Sequence, residues 1–219
     1  MGHRPRVQPY QLMARQESIE QIRLPTPVVE GTVSIERALR ARRSVREYRS
    51  ESMSLAAISQ LLWAAQGVTG PDGRRTAPSA GALYPLVAYL VVGSVEGLEA
   101  GVYRYRPADH SLVRVAKGDV RGRLAAAAAG QPQLAAGAAT VAIAADYDRT
   151  MRKYGDRGVR YVQMEAGHAV ENVHLQAIPL GLGTVVVGAF DDGEVKRVLR
   201  APDSEDVLAL MPIGKPARV

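Results

Sequence analysis

Gly101-Val102-Tyr103-Arg104-Tyr105-Arg106-Pro107-Ala108-Asp109-His110-Ser111-Leu112-Val113-Arg114-Val115-Ala116 holds two alternating runs on either side of a Pro-Ala-Asp-His turn. Alternation with a period of two sends successive side chains to opposite faces, so Gly101 to Arg106 and Leu112 to Ala116 read as a β-hairpin. Its tyrosines fall on one face and its arginines on the other, the pattern of a packed face with a solvated back. Outward from the hairpin, Val87 to Val92, Thr140 to Ala145, Thr184 to Val187 and Val207 to Ile213 are short apolar runs that read as buried strands.

Helical patterns lie between these strands. Ser34 precedes Ile35, Ala38 and Leu39, and Ser54 precedes Leu55, Ile58, Leu61, Leu62 and Ala65, each serine placed as an N-cap, with Gly67 stopping the second helix. An alanine-rich helix opens at Asp119 and reaches Ala129, a long one runs from Gly158 to Leu180, and Val195 to Leu199 belong to a short one. Strands interspersed with helices around a hairpin give the α+β class, a mostly antiparallel sheet with helices packed on it. Residues 1–33 carry Pro5, Pro9, Pro25 and Pro27 and read as an arm, and residues 34–219 as one domain.

Composition narrows the function. Cysteine is absent, which excludes disulfide frameworks, thiolate metal sites and a thiol nucleophile. There is no signal-peptide pattern and no apolar run of about 18 residues, so a cytoplasmic, membrane-free protein is expected. The net charge of +6 is local: residues 1–50 hold ten Arg against five acids, and the rest is nearly balanced. The density peaks at Arg40, Arg42, Arg43, Arg46 and Arg49 around Ser44, the footprint of one small phosphate or of a solvated basic helix end rather than of a nucleic-acid polymer.

Three familiar motifs fail on their spacing. Glu165 and His168 form a Glu-x-x-His pair without the second pair that a di-iron bundle needs, so no metal is expected. Tyr161, Glu165, His168, Asn172 and Gln176 then read as a polar stripe at a hydrogen-bonded helix interface. Gly181-Leu182-Gly183 precedes a strand instead of following one, which rules out a dinucleotide fingerprint. Gly214-Lys215 lacks the rest of a phosphate loop.

Five segments in order carry a resemblance: Arg42-Arg43-Ser44-Val45-Arg46-Glu47-Tyr48, Pro78-Ser79-Ala80-Gly81-Ala82-Leu83-Tyr84-Pro85, Lys153-Tyr154, Glu165-Ala166-Gly167-His168 with Asn172, and Gly181-Leu182-Gly183 followed by Gly188-Ala189-Phe190. From about Leu24 onward the chain resembles the nitroreductase family, and within it the SagB-type dehydrogenase branch. The resemblance implies an intertwined homodimer with FMN at the subunit interface. Arg42, Arg43, Ser44 and Arg46 would face the phosphate and ribityl chain, with Lys215 and Arg218 as C-terminal candidates. Pro78, Ser79, Ala80 and Gly81 would pass the flavin ring of the partner's site, and the backbone at Gly188 and Ala189 would face N5.

Lys153 and Tyr154 match a pair associated with catalysis in azoline-oxidising members of the branch; the structural alternative is a helix-capping lysine beside a packed ring. Ala82 and Gly188 stand where well-studied nitroreductases have Asn and Glu, departures shared with the SagB-type branch. The implied activity is hydride passage between substrate and flavin, as in azoline to azole oxidation. The alternatives are an NAD(P)H-dependent reductase of nitro compounds, quinones or enones, and a flavin binder without turnover.

Overall fold

The computed structural model describes residues 21–217. Seven strands, β1 (Gln21–Arg23), β2 (Leu86–Val92), β3 (Gly101–Arg106), β4 (Ser111–Lys117), β5 (Ala139–Ala145), β6 (Gly183–Thr184) and β7 (Asp206–Gly214), form one sheet in the order β1-β4-β3-β2-β5-β7-β6. Every pair of neighbouring strands is antiparallel. The helices are α1 (Ile35–Ala41), α2 (Leu55–Gln66), α3 (Arg121–Ala127), α4 (Pro132–Ala136), α5 (Asp148–Tyr154), α6 (Arg157–Ala177) and α7 (Asp192–Leu199).

The apolar strands are continuous because the sheet is covered on both faces. On β2, Leu86, Ala88, Leu90 and Val92 join Ile58, Leu61 and Leu62 of α2 and Val162, Ala169 and Val173 of α6 in one core. Val87, Tyr89 and Val91 point the other way, into a second core with Leu124 of α3, Leu134 of α4 and Val198 of α7. The hairpin splits as its alternation requires: Tyr103 and Tyr105 are buried in the first core, while Arg104 reaches Glu205 and the Tyr89 hydroxyl on the opposite face. Burying one leucine of this kind contributes about 1.5–3 kcal/mol, so the central strands hold the layers together.

Ser34 and Ser54 cap α1 and α2, their hydroxyls accepting from Arg37 N at 3.3 Å and Ala57 N at 3.2 Å. Several elements depart from expectation. On α1 only Ala38 is buried, and Ile35 and Leu39 are exposed, so its apolar face is left uncovered among the described residues. The helix expected from Asp119 to Ala129 is shorter, because the Asp119 carboxylate accepts from Arg121 N ahead of the first turn and the chain is left-handed at Ala129. After Gly130, α4 starts afresh on Pro132, which suits the first turn of a helix.

The long helix begins one residue earlier than expected, at Arg157, stops at Ala177 short of Leu180, and is preceded by α5, unanticipated because its seven residues are mostly polar. The strand expected over Thr184 to Val187 is only Gly183–Thr184, with a separate bridge from Val187 to Leu210. Gln21–Arg23, assigned to the arm, pairs with β4 at the sheet edge, and Pro25 O accepts from the Ser59 hydroxyl on α2. Residues 1–20 of the arm lie outside the described residues. Among the described residues no helix is long and apolar enough to cross a membrane.

Candidate functional site

The arginine-rich segment follows α1 and is laid along the sheet edge by backbone bonds. Val45 N donates to Thr184 O at 2.9 Å, Arg49 N to Lys215 O at 2.9 Å, and Ala217 N to Glu47 O at 3.0 Å. The Tyr48 phenol donates to Val45 O at 2.7 Å and lies 3.0 Å from Pro212 O, and burial pushes its pKa up. Gly183 makes this approach possible, since a Cβ there would lie 2.7 Å from the Val45 side chain. That gives the Gly-Leu-Gly motif a packing role.

Main chain anchors the segment, and its polar side chains are left outside. Arg43, Ser44 and Arg46 are exposed. Arg43 Nη1 caps the end of α1 through the carbonyls of Arg40 and Arg42 at 2.9 and 2.7 Å. Arg42 lies 3.9 Å from the Glu171 carboxylate of α6, a loose pair. Arg46 makes no ion pair among the described residues. Beside them, the Thr184 hydroxyl is buried without a hydrogen-bond partner among the described residues. Lys215 is brought to the same edge, but its ammonium is engaged by Glu51 at 2.7 Å. Arg218 lies outside the described residues.

The second cluster forms around the Pro-Ser loop. Ala80–Ala82 make a single 3-10 turn in which Gly81 has φ +63°. Ala82 and Tyr84 are also left-handed, at +53° and +48°, at a cost of about 1 kcal/mol or more each. A Cβ on Gly81 would lie 2.8 Å from the Tyr154 hydroxyl and 3.0 Å from Lys153 Nζ. The two sequence signals, 72 residues apart, therefore converge, and glycine is what allows it. Tyr154 also packs edge to face on Tyr161, with ring centroids 5.1 Å apart, so one part of the structural alternative coexists with the approach to Gly81.

Other side chains hold the strained turn. Arg149, one helical turn before Lys153 on α5, donates to Tyr84 O at 3.2 Å and is itself paired with Asp146 at 3.1 Å. The Ser79 hydroxyl accepts from Tyr84 N at 2.9 Å. Arg75 stacks its guanidinium 4.6 Å from the centre of the Tyr84 ring and donates to Gln66 Oε1 at 2.8 Å. Glu165 is only 2% exposed, and its Oε1 has no hydrogen-bond partner among the described residues. Burial drives its pKa up to about 7, with Ser79 and then Arg75 opposing.

Reasoning from sequence missed Arg75, Arg149 and Thr184 altogether and treated Glu165 as part of a stripe. Besides its place in the Glu165-Ala166-Gly167-His168 motif, the signal for Glu165 was an acidic residue at helical spacing from the apolar positions Val162 and Ala169. The stripe divides in space: His168 is exposed, Asn172 donates to Thr76 O at 3.3 Å, and Gln176 accepts from Gln60 at 3.2 Å. Gly188 and Ala189 lie in an exposed turn between β6 and α7, where Ala189 O accepts from Gln131 at 3.1 Å. Among the described residues, no hydrogen bond or ion pair joins that turn to either cluster.

The antiparallel sheet between helical layers is shared with solved structures. A nitroreductase-like structure from Anabaena variabilis ATCC 29413 superposes with a TM-score of 0.80 at 30% identity, over 90% of this chain and 42% of the other. The chain belongs to the nitroreductase family, whose model matches residues 39–215. A Methanocaldococcus jannaschii protein whose name places it among the nitroreductases is 50% identical over 84% of this chain and 91% of its own length. The microcin B17-processing protein McbC of Escherichia coli is 29% identical over 67% of this chain. The chain spans about half of McbC, 56% of its length, and less than half of the Anabaena chain.

Proposed function

We propose that the protein is an FMN-dependent dehydrogenase of the SagB type that removes a hydride and a proton from a heterocyclic substrate, as in azoline to azole oxidation. The observation that carries this reading is the approach of Lys153 and Tyr154 to Gly81. The residues suit the cofactor on two grounds. The exposed Arg46, with Ser44 and the loosely paired Arg42 beside it, can present guanidinium and hydroxyl donors to a phosphate. Gly81, in a turn of small residues, leaves the Lys-Tyr pair open to a flat ring.

When bound, FMN would supply a hydride acceptor, with O2 or another oxidant completing the cycle. The chain's part is then proton handling and orientation. A substrate carbon that gives up hydride leaves a ring proton to be taken up, and Lys153 in its neutral form is a base positioned to accept it at Nζ. The Tyr154 hydroxyl can hold the substrate ring by hydrogen bonding, and the small residues Ala80 and Gly81 keep the approach clear. Similarity to McbC supports this branch of the family.

A homodimer would join the two half-sites. Within one chain the arginine edge is anchored to β6 and to residues 215–217 after β7, and the Gly81 loop to α5, while Ile35 and Leu39 stand 56% and 54% exposed on α1. A second copy would cover that apolar face and set one chain's loop over the other's phosphate site. Light scattering on the purified protein should give the mass of a dimer, and a monomer that binds FMN would overturn this part.

The second reading, an NAD(P)H-dependent reductase, is favoured by 50% identity to a protein named as a nitroreductase. Anaerobic NADPH separates the two: bleaching of the flavin bands supports the reductase, whereas persistent bands with turnover that needs Lys153 support the dehydrogenase. A flavin that no donor reduces would leave a binding protein without turnover.

A further inference from the structure

The segment that follows β1 is fastened to the body by a small relay of side chains. Leu24 N donates to His110 O at 3.1 Å, and Pro25 O accepts twice, from the Ser59 hydroxyl of α2 at 2.5 Å and from Nε2 of His110, in the turn between β3 and β4, at 3.0 Å. Three residues on, the Gln60 side chain brackets Val28, accepting from its N at 2.8 Å and donating to its O at 2.9 Å. The segment so held runs between two cavities, of about 430 and 810 Å³, that share Val29 and Trp63.

These bonds fix the protonation of the ring. Pro25 O can only accept, so Nε2 carries a hydrogen, and the Ser59 oxygen, 2.7 Å from Nε2, gives its own hydrogen to Pro25 O and can accept from the same N–H. Nδ1, 2.8 Å from the Tyr105 hydroxyl, is then the acceptor. The neutral imidazole satisfies every partner. A second proton, on Nδ1, would replace that acceptor by a donor and strand the Tyr105 hydrogen, which has no other acceptor among the described residues, in a site where Tyr105 is 3% and Ser59 1% exposed. The charged groups of the surrounding elements are Arg106 and Asp109, paired with each other at 3.1 Å, the exposed Arg23 of β1, and Arg75, which with Asp109 acts on Tyr105; α2 carries none.

We infer that Ser59, His110 and Tyr105 form a pH-sensitive latch, closed on Pro25 while His110 is neutral and released when it is protonated. Burial holds the His110 pKa below its ordinary 6.5, with the Pro25 bond opposing. The closed state therefore disfavours the proton: the latch contributes fully above that ordinary value and is lost as pH falls through the lowered one. Its release would free residues 24–28 and open the side of α2 that carries Trp63.

The test is hydrogen exchange of the full chain at the Leu24 and Val28 amides, corrected for intrinsic rates, at about pH 7.5 and about pH 5, for wild type, His110→Gln and Ser59→Ala, with the β2 amides as the reference for global unfolding. Wild-type protection at Leu24 should fall about fivefold or more in acid while that of β2 holds. His110→Gln, which keeps an N–H for Pro25 O but does not titrate, should be equally protected at both values. Ser59→Ala should be less protected than wild type at the higher pH and still respond to acid. The sole tryptophan, Trp63, gives a second reading: its emission should move to longer wavelength in acid in wild type and stay in place in His110→Gln. Wild-type protection that is flat with pH, a fall at Leu24 matched in β2, a His110→Gln protein that follows the wild-type profile, or a Ser59→Ala protein as protected as wild type would each overturn the latch.

Discussion

The arginine edge and the Gly81 loop are built on opposite plans. Residues 42–49 are fixed by main-chain bonds to β6 and to residues 215–217 just after β7, so the side chains of Arg43, Arg46 and Arg49 stay exposed and individually replaceable. Residues 78–84 are fixed by side chains, those of Ser79, Arg75 and Arg149, in a left-handed turn. A ligand group held by several exposed charges tolerates the loss of one, whereas a turn that depends on a single hydroxyl and a missing Cβ does not. The edge suits binding and the loop suits geometry.

The sharpest attempt to break this contrast is Lys153→Ala, which should lower turnover of a cognate substrate by about 10²–10⁴ with FMN still bound. Unchanged kcat would remove the lysine from the chemistry. Gly81→Ala comes next: the added methyl would meet the Tyr154 hydroxyl at 2.8 Å, closer than ordinary contact, and a shift of about 1 Å in the pair costs about 10²-fold in kcat/KM. Circular dichroism should show the fold retained, and full activity would contradict the close approach.

The third prediction concerns stability. The Glu165 pKa in the folded protein, about 7, lies above the ordinary 4.5, so the native state holds a proton that the unfolded chain releases between those values. Wild-type stability should therefore fall as pH rises from about 4.5 to about 7 and then level off. Denaturant unfolding at about pH 8 should find Glu165→Gln more stable by about 2 kcal/mol, reduced from the full linkage value by the buried amide it introduces. A Glu165→Gln protein less stable than wild type above that window would contradict the burial argument. The smallest effect belongs to the edge: Arg46→Ala should weaken FMN binding about tenfold and lessen its salt dependence. A loss as large as that from Gly81→Ala would erase the distinction between the two regions.

Legibility in the sequence follows the same division. The hairpin and the strands at Val87, Thr140 and Val207 were readable because period-two and continuous apolar patterns record burial on one or both faces. β1 was not, since three residues at a sheet edge carry no pattern, and α5 was hidden by its exposure. In the site, Lys153, Tyr154 and the Pro-Ser loop were legible as motifs. Their meeting at Gly81 was not, because it depends on α5 and on φ angles that small residues do not announce. Ala82 is instructive: its +53° suits Asn better than Ala, so the sequence alone argues against the conformation it takes. Arg75 and Arg149 resemble surface arginines until the fold brings both to Tyr84.

The most direct test of the account is the absorption spectrum of the purified protein before and after adding FMN, with Gly81→Ala measured alongside. The account predicts flavin bands in stoichiometric amount for wild type, perturbed from those of free FMN, and a changed spectrum for the variant. A colourless protein that refuses added FMN would contradict it.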